Sequence, residues 1–224
     1  MKGRFIMRTR FEEQLKKLNN SLIEMGALVE RAISDACLAL VEKNIELANK
    51  AIAYDEDVNT MEKEIEGLCL KILLQQQPVA GDLRLVSSVL KIITDLERVG
   101  DHASDISNIT IHLAKTPYRK KLDNIKEMSV KTMQMVNESI EAFVNMDKKL
   151  AKKVINDDDI VDALFGEVKK DCIEMIKQDA ESGDQAIDFI MIAKYFERIG
   201  DHATNIAEWV IFSLTGVHKN SKIM

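Results

Sequence analysis

Residues Glu97 to Ile106 read Glu-Arg-Val-Gly-Asp-His-Ala-Ser-Asp-Ile, and residues Glu197 to Ile206 read Glu-Arg-Ile-Gly-Asp-His-Ala-Thr-Asn-Ile. Seven of these ten positions are identical, and the other three exchange near-isosteric side chains. Both stretches sit in runs of helical period. Leu85, Val89, Ile92, Leu96, Val99, Ala103 and Ile106 recur every three or four residues, as an amphipathic helix requires. Such a pattern reproduces apolar spacing by chance, but it does not place Glu, Arg, Gly, Asp and His on the same rungs twice. The chain is therefore an internal duplication. Upstream the echo continues at a separation of 103 residues, pairing Met25 with Met128, Ala39 with Ala142, Ile52 with Ile155, Asp55 with Asp158, Val58 with Val161 and Cys69 with Cys172.

Working outward, the 224 residues contain only two prolines, Pro78 and Pro117, and both fall where helical runs break. Leu15, Leu18, Leu22, Met25, Val29, Ala32, Ala36 and Leu40 form one apolar face, and Val58, Met61, Ile65, Leu68 and Ile72 form another. The periodicity predicts six helices, over roughly 10–43, 46–76, 80–115, 119–146, 148–180 and 185–215. Alternating β-branched runs are absent, so no strand is expected. The expected fold is all-α, with residues 1–116 as a first three-helix bundle and 117–224 as a second.

Composition removes several function classes. A net charge of −6 argues against nucleic acid as a partner. Three cysteines without a CxxC motif suit a reducing compartment rather than a disulfide scaffold. The first ten residues, MKGRFIMRTR, lack the apolar run of a signal peptide, and the longest uncharged stretch near the end, Trp209 to Val217, falls short of the roughly 20 residues of a spanning helix. A cytoplasmic protein is expected, meeting membranes only through partners. No glycine-rich phosphate loop and no nucleophile constellation stands out, so no enzyme activity is expected. A carboxylate-bridged metal enzyme or metal-storage protein of ferritin-like type is the competing reading. That class uses Glu-x-x-His pairs, but Val99, Ile109, Ile199 and Thr215 stand three residues before the four histidines.

The polar rungs of the duplicated motif are the candidate site. Residues at i, i+4 and i+8 share a helix face, so Glu97, Asp101 and Asp105 form one acidic stripe, and Glu197, Asp201 and Asn205 form its copy. Like charges at that spacing repel by a few tenths of a kcal/mol, which a bound cation offsets. Carboxylates suit magnesium, calcium, manganese or ferric iron, and zinc accepts them. Asp158 and Asp162 repeat the i, i+4 spacing, with Asp55 and Asn59 as their first-half partners. Counting from the turns, Asn59 and Asp162 come level with Asp101 and Asp201. The apolar positions lie opposite, so the stripe is expected to face away from its own lobe's core. Gly100 and Gly200 read as points of close helix packing, Arg98 and Arg198 as partners of neighbouring carboxylates, and His102 and His202 as packing or surface residues. Cys69 and Cys172 read as core.

These residues resemble the PhoU family of phosphate-signalling regulators. The likeness rests on the repeated Glu-Arg-x-Gly-Asp, on Met25-Gly26 followed by Val29-Glu30, and on Gln76-Gln-Pro-Val-Ala-Gly-Asp-Leu-Arg84. It runs from about Phe11 to Gly216. The resemblance implies two three-helix bundles related by a pseudo-twofold, often dimerising. It implies a cytoplasmic negative regulator of the phosphate-starvation response, acting with the ATPase subunit of the phosphate ABC transporter and with a phosphate-responsive sensor histidine kinase. It also implies metal clusters, of iron or zinc first and magnesium next, on Glu/Asp-x-x-x-Asp motifs. Here those motifs fall on Glu97, Asp101 and Asp105, on Glu197 and Asp201, and on Asp158 and Asp162. Asn59 and Asn205 depart from the pattern by one charge each, and the second half reads Glu181-Ser-Gly-Asp184 where the first has its Gln-Gln-Pro turn.

Overall fold

A computed structural model describes residues 2–76, 78, 80–119, 122–219 and 221–222. Its helices are α1 (Lys2–Glu42), α2 (Ile45–Gln76), α3 (Ala80–Leu113), α4 (Asp123–Val144), α5 (Lys148–Gln178) and α6 (Gly183–Thr215), with a 3-10 turn at Ala180–Ser182. Within the resemblance motif, Gln77 and Val79 lie outside the described residues. One expectation fails at the end of the chain. Val217–His218 (β1) and Ser221–Lys222 (β2) pair as an antiparallel hairpin. No alternating pattern announces it. Gly216, at φ 74°, ends α6 in the left-handed region, and the His218 ring then stacks on Trp209 with centroids 3.9 Å apart.

The repeat is visible in the turns. Lys43 and Met146, which are 103 residues apart, take φ of 55° and 51°. After them Asn44 N–H donates to the Ala39 carbonyl at 3.0 Å, and Asp147 N–H to the Ala142 carbonyl at 2.8 Å. Asn44 and Asp147 then cap the next helix, their side-chain oxygens accepting from Leu47 N–H at 3.0 Å and from Lys149 and Leu150 N–H at 2.8 and 3.1 Å. The first two helices of each lobe are joined by equivalent ion pairs, Lys50 to Asp35 at 3.0 Å and Lys153 to Glu138 at 2.5 Å.

Helices α1 to α3 pack on one another as one three-helix bundle and α4 to α6 as the other, and the bundles meet through α3 against α6 and α1 against α4. One apolar core runs through both, including Leu22, Val89 and Ile92 in the first bundle and Met128, Val161 and Ile192 in the second. Leu96 and Phe196, on the same rung of the two motif helices, are fully buried. Such a side chain contributes about 1.5–3 kcal/mol by leaving water. Burial repeats position for position from 91–110 to 191–210, except at 94 against 194 and at 108 against 208.

Residues 114–119, which follow α3, are turn, bend and irregular backbone, and α4 begins at Asp123 and not near 119. Gln185 on α6 holds this stretch from both sides: Oε1 accepts from Arg119 N–H at 2.8 Å, and Nε2 donates to the Pro117 carbonyl at 3.1 Å. Tyr118 donates its hydroxyl to the Leu40 carbonyl at 2.8 Å and meets Phe189 edge-on.

Candidate carboxylate sites on the motif helices

In the first lobe, Arg98 Nη1 lies 2.7 Å from Asp101 Oδ2 and Nε lies 3.4 Å from Glu97 Oε2. Across the groove, α2 contributes Asp55 and, two turns further on, Glu62. Asp55 is pushed above the usual carboxylate range by burial and then by Asp101, with Asp105 adding to it. Its Oδ1 is buried without a hydrogen-bond partner. Glu97 is raised by burial and then by Asp101, with Glu62 and Asp55 adding to it. Glu62 Oε1 accepts from Thr94 Oγ1 at 3.2 Å.

The second lobe repeats the arrangement with different neighbours. Burial, followed by Asp201, Asp162 and Glu197, pushes Asp158 up to about 6. Asp201 is raised by burial and then by Glu197. Lys194 Nζ sits 2.5 Å from both oxygens of Glu197.

The motif glycines explain how the stripes come so close to α2 and α5. A Cβ on Gly200 would stand 3.2 Å from Asp158 Oδ1, and one on Gly100 would stand 3.3 Å from Val58 Cγ1. Both distances are tighter than side chains normally accept. Close packing was the expected role of these glycines, and it outweighs the roughly 1 kcal/mol that Gly concedes to Ala inside a helix.

Between the lobes the histidines meet. The His102 and His202 rings lie 5.5 Å apart, and Tyr195 stands 5.5 Å from His102. His202 Nδ1 pairs with Asp95 Oδ1 at 2.8 Å, and the same oxygen accepts from Asn205 Nδ2 at 3.3 Å. Asn205 Oδ1 in turn accepts from Lys219 Nζ at 3.2 Å. Thus Asn205, where a carboxylate was expected from the pattern, serves the seam. His102 is lowered by burial and then by His202, and Asp105 Oδ2 is 3.7 Å from its Nδ1.

The structure thus gathers Glu97 and Asp101 with Asp55, and Glu197 and Asp201 with Asp158 and Asp162, while Asp105 also reaches toward the seam. One expectation needs correction. The stripes do not turn away from their lobes: they line the grooves against α2 and α5, because the glycine face beside them is the packing face. On α2 the carboxylate that meets Asp101 is Asp55, while Val58 packs on Gly100; in the second lobe both Asp158 and Asp162 act with Asp201, as counting from the turns predicts. Glu62, Asp95 and Lys194 were not singled out from sequence. Glu62 was legible as seven residues from Asp55 on the same face, and Lys194 as the i, i+3 partner of Glu197.

The donor set is that of a hard cation, with carboxylate oxygens, raised proton affinities and one orphaned oxygen on Asp55. Among the described residues, no three His, Cys, Asp or Glu side chains already form a cage around one point.

Fold and site define a duplicated six-helix protein with a carboxylate groove in each half. A family model, the PhoU domain, matches residues 22–110 and again 125–210, so the chain belongs to the PhoU family. The phosphate-specific transport system accessory protein PhoU homolog of Clostridium acetobutylicum is 35% identical over 92% of this chain and 94% of that protein. The crystal structure of PhoU from Pseudomonas aeruginosa matches with a TM-score of 0.88 and 33% identity, covering 92% of this chain and all of that one. The phosphate transport system regulatory protein PhoU from Streptococcus pneumoniae gives a TM-score of 0.86 at 28% identity, over 93% and 98% of the two chains. Among the described residues no helix is long and apolar enough to cross a membrane.

Proposed function

We propose that this chain regulates phosphate transport as a non-enzymatic accessory protein. The observation that carries the reading is its match, over nearly the whole length of both chains, to a phosphate-specific transport system accessory protein. In finer detail, the protein works in the cytoplasm as a homodimer. It binds the ATPase subunit of the phosphate ABC transporter and a phosphate-responsive sensor histidine kinase, and so holds the starvation response off when phosphate is plentiful. Long amphipathic helices and a duplicated polar surface suit an adaptor that works by contact.

The carboxylate grooves are proposed to hold metal ions, with iron or zinc first and magnesium next, on Glu97, Asp101 and Asp105 in one lobe and on Glu197, Asp201, Asp158 and Asp162 in the other. Asp55 joins the first set, because its orphaned Oδ1 lacks a partner that a cation supplies. A metal there supplies positive charge that cancels the repulsion within each groove. The protein's own part is to present hard oxygens on rigid helices. The orphaned oxygen and the raised carboxylates support this reading.

The test of the regulatory role is deletion of the gene in its source organism and measurement of a phosphate-starvation reporter in phosphate-rich medium. Derepression reversed by this protein, with co-purification of the transporter ATPase or the kinase, is the expected result. An unaltered reporter and no co-purification would defeat the proposal.

A further inference from the structure

The two grooves are copies in sequence but not in charge: the second has Asp162 where the first has Asn59 and Asn205 where the first has Asp105, and a further difference lies at the level of Thr94 and Lys194. Thr94 in the first lobe donates to Glu62. Its counterpart Lys194 instead holds both oxygens of Glu197 at 2.5 Å. Glu62 itself has Phe165 as its counterpart, and Lys194 Nζ lies 5.5 Å from that ring's centroid. Where the first lobe adds a carboxylate, the second adds a cation and an aromatic wall beside it. Position 94 is exposed and position 194 half-buried, one of the two places where burial differs between 91–110 and 191–210.

The remaining cations do not cancel this difference. Arg98 bonds Asp101 at 2.7 Å with its side chain 55% exposed, and its counterpart Arg198 adds its field to Asp201, so each lobe has an arginine on the stripe. Lys194 is additional, at 37% exposure against 14% for Glu197. Lys219, on Asn205 and 3.2 Å from Glu208 Oε2, brings a further positive charge to the second motif helix.

We propose that the two lobes take hard divalent cations unequally: the first-lobe groove of Asp55, Glu97 and Asp101 is the tighter site, and Lys194 is an additional internal counter-ion that must leave Glu197 before the second-lobe groove can bind. The inference rests on the metal-binding reading above and makes Lys194 a specificity-determining residue of the second groove. Binding there is an exchange of cations. The incoming ion loses the benefit of an unpaired carboxylate, and the displaced ammonium stays tethered nearby, repelling it.

The probe is Mn²⁺, titrated into the chelator-washed full chain and followed by the electron paramagnetic resonance of the free ion. Two classes of site are expected, the tighter removed by Asp101→Asn and the weaker by Asp201→Asn. Lys194→Thr, which copies the first lobe, should tighten the weaker class by about tenfold, and Thr94→Lys should weaken the tighter class by about as much, as removal or addition of one close charge implies. Position 94 is exposed, so the second variant does not depend on repacking. Absence of Mn²⁺ uptake overturns the metal reading and this inference with it. Uptake with equal affinities, or with the second lobe tighter, overturns the role of Lys194 alone. So does failure of both exchanges to move either class.

Discussion

Replacing Asp158 by Asn should stabilise the metal-free protein near pH 7.5 and have little effect near pH 4. The carboxyl is displaced from 3.8 to about 6 in the folded chain. The folded state therefore holds this proton more tightly than the unfolded state does. The stability it confers is complete below about pH 4 and is lost as the pH rises through about 6. Above that, the ionised group sits half-buried among Asp201, Asp162 and Glu197 without a cation of its own. At about 1.4 kcal/mol per unit, the ceiling on the effect is about 3 kcal/mol. The groove is open to water and salt, which screens most of this and leaves about 1 kcal/mol. For a chain of this length that corresponds to a rise in Tm of about 2–4 °C. Thermal unfolding of both proteins in EDTA at pH 4, 6 and 7.5 measures it. An Asn variant less stable than wild type at pH 7.5, or a difference that is the same at all three pH values, would refute the account of the groove as uncompensated charge.

Three further outcomes follow from the packing. Phe196→Ala should destabilise the protein by about 3–5 kcal/mol in urea unfolding, because it opens a cavity beneath the second motif helix at a fully buried position. Gly100→Leu should cost about 1–3 kcal/mol by overpacking, since even a Cβ there meets the β-branched Val58 at 3.3 Å; wild-type stability in that variant would show that the α2–α3 approach is not set by the glycine. Gln185→Ala should speed tryptic cleavage at Lys115 or Arg119, because it removes two of the hydrogen bonds that hold the stretch between the bundles; an unchanged digestion pattern would assign that restraint to the bonds of Tyr118 to Leu40 and of Lys43 to Thr116.

The fold was legible because its evidence is local. Helical period, scarce proline and a motif repeated on identical rungs are properties of single segments, and they specify six helices in two copies before any packing is known. The acidic stripes are local in the same way: Glu97, Asp101 and Asp105 share a face through helical geometry alone. The pairing of Lys194 with Glu197, three residues apart on one helix, was within reach of the same reasoning. What lies across each groove was not. Level along a helix pair can be counted from a turn, but only to within about one turn, and each residue within that margin rotates the side chain by about 100°. Val58 seating on Gly100 is what sets the phase that brings Asp55 to Asp101. The meeting of His202 with Asp95, 107 residues apart, depends on how two lobes dock. The fold-back of the hairpin depends on a ring stack with Trp209 that no alternating pattern encodes. Sequence alone determined which groups each helix carries. Tertiary structure decided which of those groups share a dielectric environment, because contact between helices depends on packing phase and docking, and neither is written in the period of a single segment.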